Sequence, residues 1–131
     1  MAIPLFRISK LLTDYDITIK LVLPTWILAH IPIPGGIHFV DLQVMDTMER
    51  VWTFRYYTRP NGNRKYPIFT VGWLEFVRVK RLRVGDELTF YRHQVRDADG
   101  ELQMQYGIQV MRTSNVTYQG EPISPDVENF L

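Results

Sequence analysis

The sequence predicts a mainly β domain, either a barrel or a sandwich, with two short helices. Its 131 residues suit one domain, because two halves would each be too small for a sizeable core. Short apolar segments are separated by turn signals about every 8–12 residues, a spacing typical of barrels and sandwiches. Aromatic residues, which pack well in strands, make up 13% of the chain. We therefore expect one domain over residues 1–113 and a C-terminal tail over residues 114–131.

The predicted strands are short apolar segments bounded by prolines, glycines or clusters of polar residues. The clearest is the segment 51–57, in which Trp52, Phe54 and Tyr56 alternate with polar side chains at the strand period of two. In chain order, the predicted strands cover residues 6–12, 19–23, 38–46, 51–57, 66–70, 87–92 and 104–112.

Two short helices are predicted between the strands. Thr25 is a suitable N-cap for a helix over residues 25–31, and Pro32 prevents that helix from continuing. Residues 72–80 form an amphipathic pattern with Trp73, Phe76 and Val77 on the inner face. The Thr-Asp-Tyr-Asp segment at residues 13–16 suits a turn or a helix N-cap.

The sequence contains none of the common enzyme or metal-binding motifs. It has no cysteine, which excludes disulfides and thiolate ligands, and its three histidines lack metal-site spacing. The Pro-Gly-Gly turn at residues 34–36 lacks the frame of a phosphate-binding loop. The apolar stretch 17–33 is interrupted by Lys20 and by prolines, which makes it unsuited to a membrane span. We expect a soluble intracellular protein that is not an enzyme, with no cofactor, no metal, no small-molecule substrate and no membrane partner.

Basic residues are concentrated in one part of the chain. From Arg50 to Arg83 there are nine basic residues and one acid, Glu75, so this segment carries +8 although the whole chain carries +1. Such segregation favours a basic surface patch. Solvated strands and turns would show the same composition, and the charge alone leaves both interpretations open.

The loop over residues 59–65 is the strongest candidate for a binding site. Its Asn-Gly pair, preceded by Pro60, predicts a tight hairpin turn. Arginine can pair with guanine and asparagine with adenine, and a two-stranded ribbon with its loop fits the DNA major groove. A solvated hairpin tip is the alternative. The side chains that this turn would expose are Arg59, Asn61, Asn63, Arg64 and Lys65.

Short motifs along most of the chain resemble the plant B3 DNA-binding domain. The resemblance covers about residues 5–112 and depends on the order and spacing of the motifs rather than on any one of them. The residues that carry it are Lys10-Leu11-Leu12-Thr13, Asp16-Ile17, Leu21-Val22-Leu23-Pro24, Val51-Trp52-Thr53-Phe54-Arg55-Tyr56, Gly72-Trp73, Phe76-Val77, Leu82, Gly85-Asp86 and Phe90.

The resemblance implies a seven-stranded open β-barrel, or pseudobarrel, with two short helices and two arms that grip the DNA major groove. The N-terminal arm corresponds to residues 10–20 and the C-terminal arm to residues 57–70. The resemblance also implies packing roles for Trp52, Phe54, Trp73, Phe76 and Phe90.

The resemblance assigns site residues by position. Lys10 matches a family lysine, and Lys20 matches the basic residue ahead of the second strand in several branches. Arg59 corresponds to a base-reading arginine of the auxin-response branch, and Arg64 and Lys65 lie near a second basic position in a loop of different length. The N-terminal arm is about two residues shorter than in the best-known branches, so we predict Thr13 and Thr18 as phosphate donors in place of the missing element.

Two hypotheses about function remain. The first is sequence-specific binding of double-stranded DNA by a nuclear transcription factor, with bases read by the loop 59–65 and the backbone held by Lys10, Lys20 and the threonines. The second is a protein-interaction module on the same fold, which the near-neutral net charge and the shortened arm favour. Protein partners or a dimer are compatible with either.

Overall fold

The fold is described from a computed structural model that covers residues 5–58, 66–112, 117–118 and 121–122. Short strands predominate, as the sequence predicts, and within the described residues no helix is long and apolar enough to cross a membrane. In chain order the elements are β1 (Phe6–Leu11), α1 (Asp14–Thr18), β2 (Leu21–Val22), a 3₁₀ helix (Thr25–Ala29), β3 (Phe39–Met45), β4 (Val51–Tyr57), β5 (Ile68–Phe69), α2 (Trp73–Lys80), β6 (Glu87–Arg96), β7 (Leu102–Met111), β8 (Thr117–Tyr118) and β9 (Glu121–Pro122).

Strands β1 to β7 form one sheet in the order β1-β6-β7-β3-β4-β5-β2. The sheet curls into a half-barrel, which confirms the open-barrel prediction. Neighbouring strands are antiparallel except for β3 and β7, which pair in parallel. Because the barrel is open, β1 and β2 are its two edges, and a seam separates them. Strands β8 and β9 form a separate two-stranded sheet.

The predicted and observed elements differ mainly in length. Strands β2 and β5 have two residues each. Strand β2 pairs with β5, and β5 also pairs with the end of β4. Strands β6 and β7 have ten residues each and extend beyond the end of β1. Their outer residues pair only with each other as far as the turn at Asp97, and none of the residues 93–96 is buried. Strand β4 has the predicted bounds.

The short helix predicted over residues 25–31 is present but ends at Ala29, and the prediction of Thr25 as its N-cap was wrong. The segment Thr25–Ala29 is a 3₁₀ helix, Pro24 occupies its N-cap position, and no side chain caps it. The first α-helix instead follows Thr13, whose side chain caps α1, so the Thr-Asp-Tyr-Asp segment begins a helix.

An aromatic cluster between α2 and the inner face of the sheet forms the centre of the core. The Phe54 ring lies 5.0 Å from the Phe69 ring and 5.7 Å from Trp73, and Phe69 lies 5.1 Å from Phe90. Edge-to-face and tilted contacts of this kind stabilise a core beyond the burial of area alone. The five aromatic residues assigned to packing from the sequence are all buried, as are the three inner residues predicted for α2.

Gly72 allows α2 to begin directly against β4. Its φ is +91°, and a β-carbon at this position would overlap the backbone oxygen of Thr53. Only glycine meets both requirements, because other residues are strained at positive φ and carry that extra carbon.

Replacing Gly72 should test this close approach. Gly72→Ala should lower the free energy of unfolding by more than about 2 kcal/mol, since the backbone of α2 or β4 must shift. Gly85→Ala is the matched control, because Gly85 has φ +92° but no atom within 4 Å of the added carbon. It should cost only the strain of a positive φ, about 1 kcal/mol. Urea denaturation measures both, and equal losses would contradict the close approach.

Candidate functional site

The strands that follow or flank the two predicted arm segments pair with one another in the sheet. Leu21 pairs with Phe69, and Phe69 also pairs with Tyr56 on its other side. The segment 10–20 leads into β2, and the segment 57–70 leads from β4 into β5. Strand pairing therefore brings together two segments that are distant in sequence.

A partly buried ion pair joins the two edges of the open barrel. Lys10 on β1 donates from Nζ to Asp16 Oδ1 at 3.0 Å and to the backbone oxygen of Val22 on β2 at 2.9 Å. The backbone N–H of Val22 donates to Asp16 Oδ1 at 3.3 Å. Both backbone groups of Val22 are thus satisfied by side chains, one from β1 and one from α1.

Asp16 also fixes the position of α1. Its Oδ2 accepts from the backbone N–H of Thr13 at 2.9 Å and from Thr13 Oγ1 at 3.0 Å, and its own N–H donates back to Thr13 Oγ1. Its backbone oxygen accepts from Trp73 Nε1 at 2.7 Å, which links α1 to α2. Only 1% of Asp16 is exposed.

The surroundings of Asp16 favour its ionised form. Burial opposes ionisation, but hydrogen bonds from Thr13, Lys10 and Val22 and the charge of Lys10 outweigh it, and they hold the pKa of Asp16 below its ordinary value. The carboxylate is therefore charged at neutral pH and is balanced by Lys10.

The predicted residues of the N-terminal arm differ in how they are used. The Thr13 hydroxyl takes part in the capping box of α1, and Thr18 Oγ1 donates to the backbone oxygen of Asp14 at 2.7 Å. Lys20 is partly exposed, and within the described residues it forms no ion pair. The residues predicted for the loop lie outside the described part of the chain; they are Arg59, Asn61, Asn63, Arg64 and Lys65.

The basic stretch from Arg50 to Arg83 does not form one free patch. Arg55 pairs with Asp41 at 3.0 Å and stacks over Phe39, and Lys80 pairs with the buried Asp46 at 2.8 Å. Arg50 stacks over the Trp52 ring at 4.0 Å, at the start of β4 and away from the arm that begins where β4 ends. Strand direction and local ion pairs, which composition does not reveal, separate these charges.

A groove of about 580 Å³ opens along the seam between β1 and β2, and we call it the seam groove. Sequence reasoning missed two of its side chains, Arg7 and Trp26, because they belong to different segments and no local pattern joins them. The described residues that line it are Arg7, Ile8, Ser9, Lys10, Val22, Leu23, Pro24, Trp26 and Tyr66.

Comparison with known proteins shows similarity to one family along most of the chain. The family model of the B3 DNA binding domain matches residues 8–105. Auxin response factor 5 of Arabidopsis thaliana is 44% identical over 54 residues, which are 41% of this chain and 6% of that protein. The AP2/ERF and B3 domain-containing transcription factor RAV1 of the same plant is 37% identical over 71 residues, which are 52% of this chain and 20% of that protein.

A solved structure shows that the fold is shared as well. The Arabidopsis FUS3-DNA complex matches with a TM-score of 0.63 and 24% identity, covering 82% of this chain and 97% of that chain. The chain itself spans only a small part of the curated relatives named above.

The acid sensitivity of the fold should depend on Asp16. Asp16→Asn should lower the free energy of unfolding at pH 7 by about 2–4 kcal/mol, because the amide leaves Lys10 without its counter-charge. The folded-state pKa of Asp16 is lowered, so its stabilising effect is present above the unfolded pKa and lost as pH falls through the folded value. The gap between wild type and variant should therefore narrow below about pH 4.

Urea denaturation at pH 7 and pH 3 measures that gap. Asp41→Asn is the control, because Asp41 forms an exposed ion pair with Arg55, which should contribute little to stability. Equal losses in the two variants at pH 7, or a gap that does not change with pH, would contradict the role of Asp16.

Proposed function

The chain belongs to the B3 DNA-binding domain family, and from this premise we propose that it binds double-stranded DNA sequence-specifically, as the DNA-binding domain of a nuclear transcription factor. The observation that supports the proposal is the β2–β5–β4 pairing, which brings the end of the N-terminal arm segment close to the described ends of the C-terminal one. One relative is a transcription factor, and the FUS3 structure of similar fold is a complex with DNA. A binding role without enzymatic activity agrees with this family.

The two arms have separate tasks in this proposal. The C-terminal arm reads base edges in the major groove through Arg59, Asn61, Asn63, Arg64 and Lys65. The N-terminal arm holds the DNA backbone, with Lys20 as its partly exposed cation and Thr18 beside it.

Lys10 and Thr13 belong to the same arm but act chiefly by positioning it. Asp16 and Val22 take two of the three donor positions of the Lys10 ammonium, which leaves the third for a phosphate. The Thr13 hydroxyl is bonded to Asp16, so it contributes through the shape of α1.

Selection of binding sites from random duplexes, followed by fluorescence anisotropy against the selected and a scrambled duplex, tests the proposal. We expect one motif to be enriched and to bind at least about a thousandfold more tightly than the scrambled duplex. No enrichment, together with no retention on a DNA column at low salt, would overturn the proposal in favour of a protein-interaction module.

Arg59→Ala should relax base preference. Loss of a bidentate contact to a base should weaken binding to the selected duplex by about 1–3 kcal/mol and leave the scrambled duplex almost unaffected. Arg50→Ala is the charge-matched control, since Arg50 lies at the opposite end of β4, about 20 Å along the strand. Unchanged discrimination in Arg59→Ala would exclude Arg59 as a base contact.

Lys20→Ala should weaken binding to every duplex by a similar factor. A phosphate contact releases counterions, so its loss should reduce the slope of log affinity against log salt by about one. Arg50→Ala should keep the wild-type slope. A Lys20→Ala slope equal to that of wild type would refute the phosphate contact.

A further inference from the structure

The seam groove is the open space between the two edge strands of the barrel, and both arms contribute to it. Lys10, the first residue of the N-terminal arm segment, lines one side, and Tyr66, within the C-terminal arm segment, lines another. The groove therefore adjoins the described parts of both arm segments. A duplex held between the arms would lie over it.

The charge of the groove suits an anion. Its described lining contains two cations, Arg7 and Lys10, and no carboxylate. The buried Asp16 balances Lys10, so Arg7 supplies the uncompensated positive charge of the groove. Arg7 is exposed, and within the described residues no acid lies within ion-pair distance of it. Its guanidinium lies 5.9 Å from the Tyr91 ring centre.

Two exposed aromatic rings lie beside these cations. Trp26 is 48% exposed and Tyr66 is 45% exposed, whereas Trp52 and Trp73, the other tryptophans of the chain, are buried. The Trp26 ring packs edge-on against His30 at 5.6 Å, which holds it in place at the groove. Cations next to exposed aromatic rings match a chain that alternates phosphate with an apolar sugar face.

We propose that the seam groove is a third DNA contact surface between the two arms, where Arg7 binds a backbone phosphate and Trp26 packs against the neighbouring deoxyribose. The inference rests on the proposed function, because it requires that a duplex lies between the arms. Contacts to phosphate and sugar carry no base information, so the groove adds affinity and fixes orientation without adding specificity.

Acrylamide quenching of tryptophan fluorescence tests the position of Trp26 directly. In the free chain, Trp26 is the accessible tryptophan, so Trp26→Phe should remove most of the quenching. Saturation with the duplex selected by the wild-type chain should reduce wild-type quenching to the level of Trp26→Phe. Anisotropy on the same sample establishes that the duplex is bound.

The two proposals fail in different ways in this experiment. A bound duplex that leaves Trp26 as quenchable as before would overturn the groove contact and leave DNA binding intact, and the groove would then be open to another occupant such as a peptide. Absence of any bound duplex would overturn the proposed function itself, and the groove contact with it.

Arg7→Gln tests the phosphate contact. The variant should bind selected and scrambled duplexes more weakly by the same factor, and its salt slope should be smaller by about one. Arg50→Gln, which removes an equal charge at the far end of β4, should keep the wild-type slope. A wild-type slope in Arg7→Gln, or a loss confined to the selected duplex, would overturn the assignment. Equal urea midpoints for the two variants show that both are folded.

Discussion

The open barrel has two free edges, and a single buried carboxylate holds them in register. Asp16 accepts from β2 through the N–H of Val22 and pairs with Lys10 of β1, which in turn donates to the Val22 oxygen. An edge strand normally exposes such groups to solvent or to another chain. Here side chains satisfy the backbone groups of Val22. Strands β1 and β2 therefore need not pair with each other, and the seam groove stays open between them.

The same carboxylate makes the N-terminal arm part of the core. It caps α1 through Thr13, and its backbone oxygen accepts from the buried Trp73 of α2. A second buried acid, Asp46, has a similar structural role just before the start of β4. It accepts from Trp52 and pairs with Lys80, and so it joins the β3–β4 turn to α2. Burial opposes ionisation of Asp46, but hydrogen bonds led by that of Lys80 keep its pKa below the ordinary value.

The ion pairs of Asp16 and Asp46 distinguish cations that stabilise the fold from cations that stay on the surface. Lys10 and Lys80 balance buried acids, and Arg55 balances an exposed one, so their charges are largely used within the fold. Arg7, which lines the seam groove, and Lys20, which is partly exposed, form no ion pair with the described acids. The net charge of +1 thus hides a separation between structural and surface cations, which explains why a near-neutral chain suits a DNA-binding role.

The sequence by itself determined the β class, the bounds of β4 and the core aromatic residues, because strand period and apolar pattern are local properties. It also pointed to the family through motif order. Only the tertiary structure decided that α1 rather than residues 25–29 forms the first α-helix, that Lys10 closes a seam, and that Arg7, Trp26 and Tyr66 share one groove. These features arise from pairing between segments that are distant in sequence, and no local pattern records which side chains such pairing brings together.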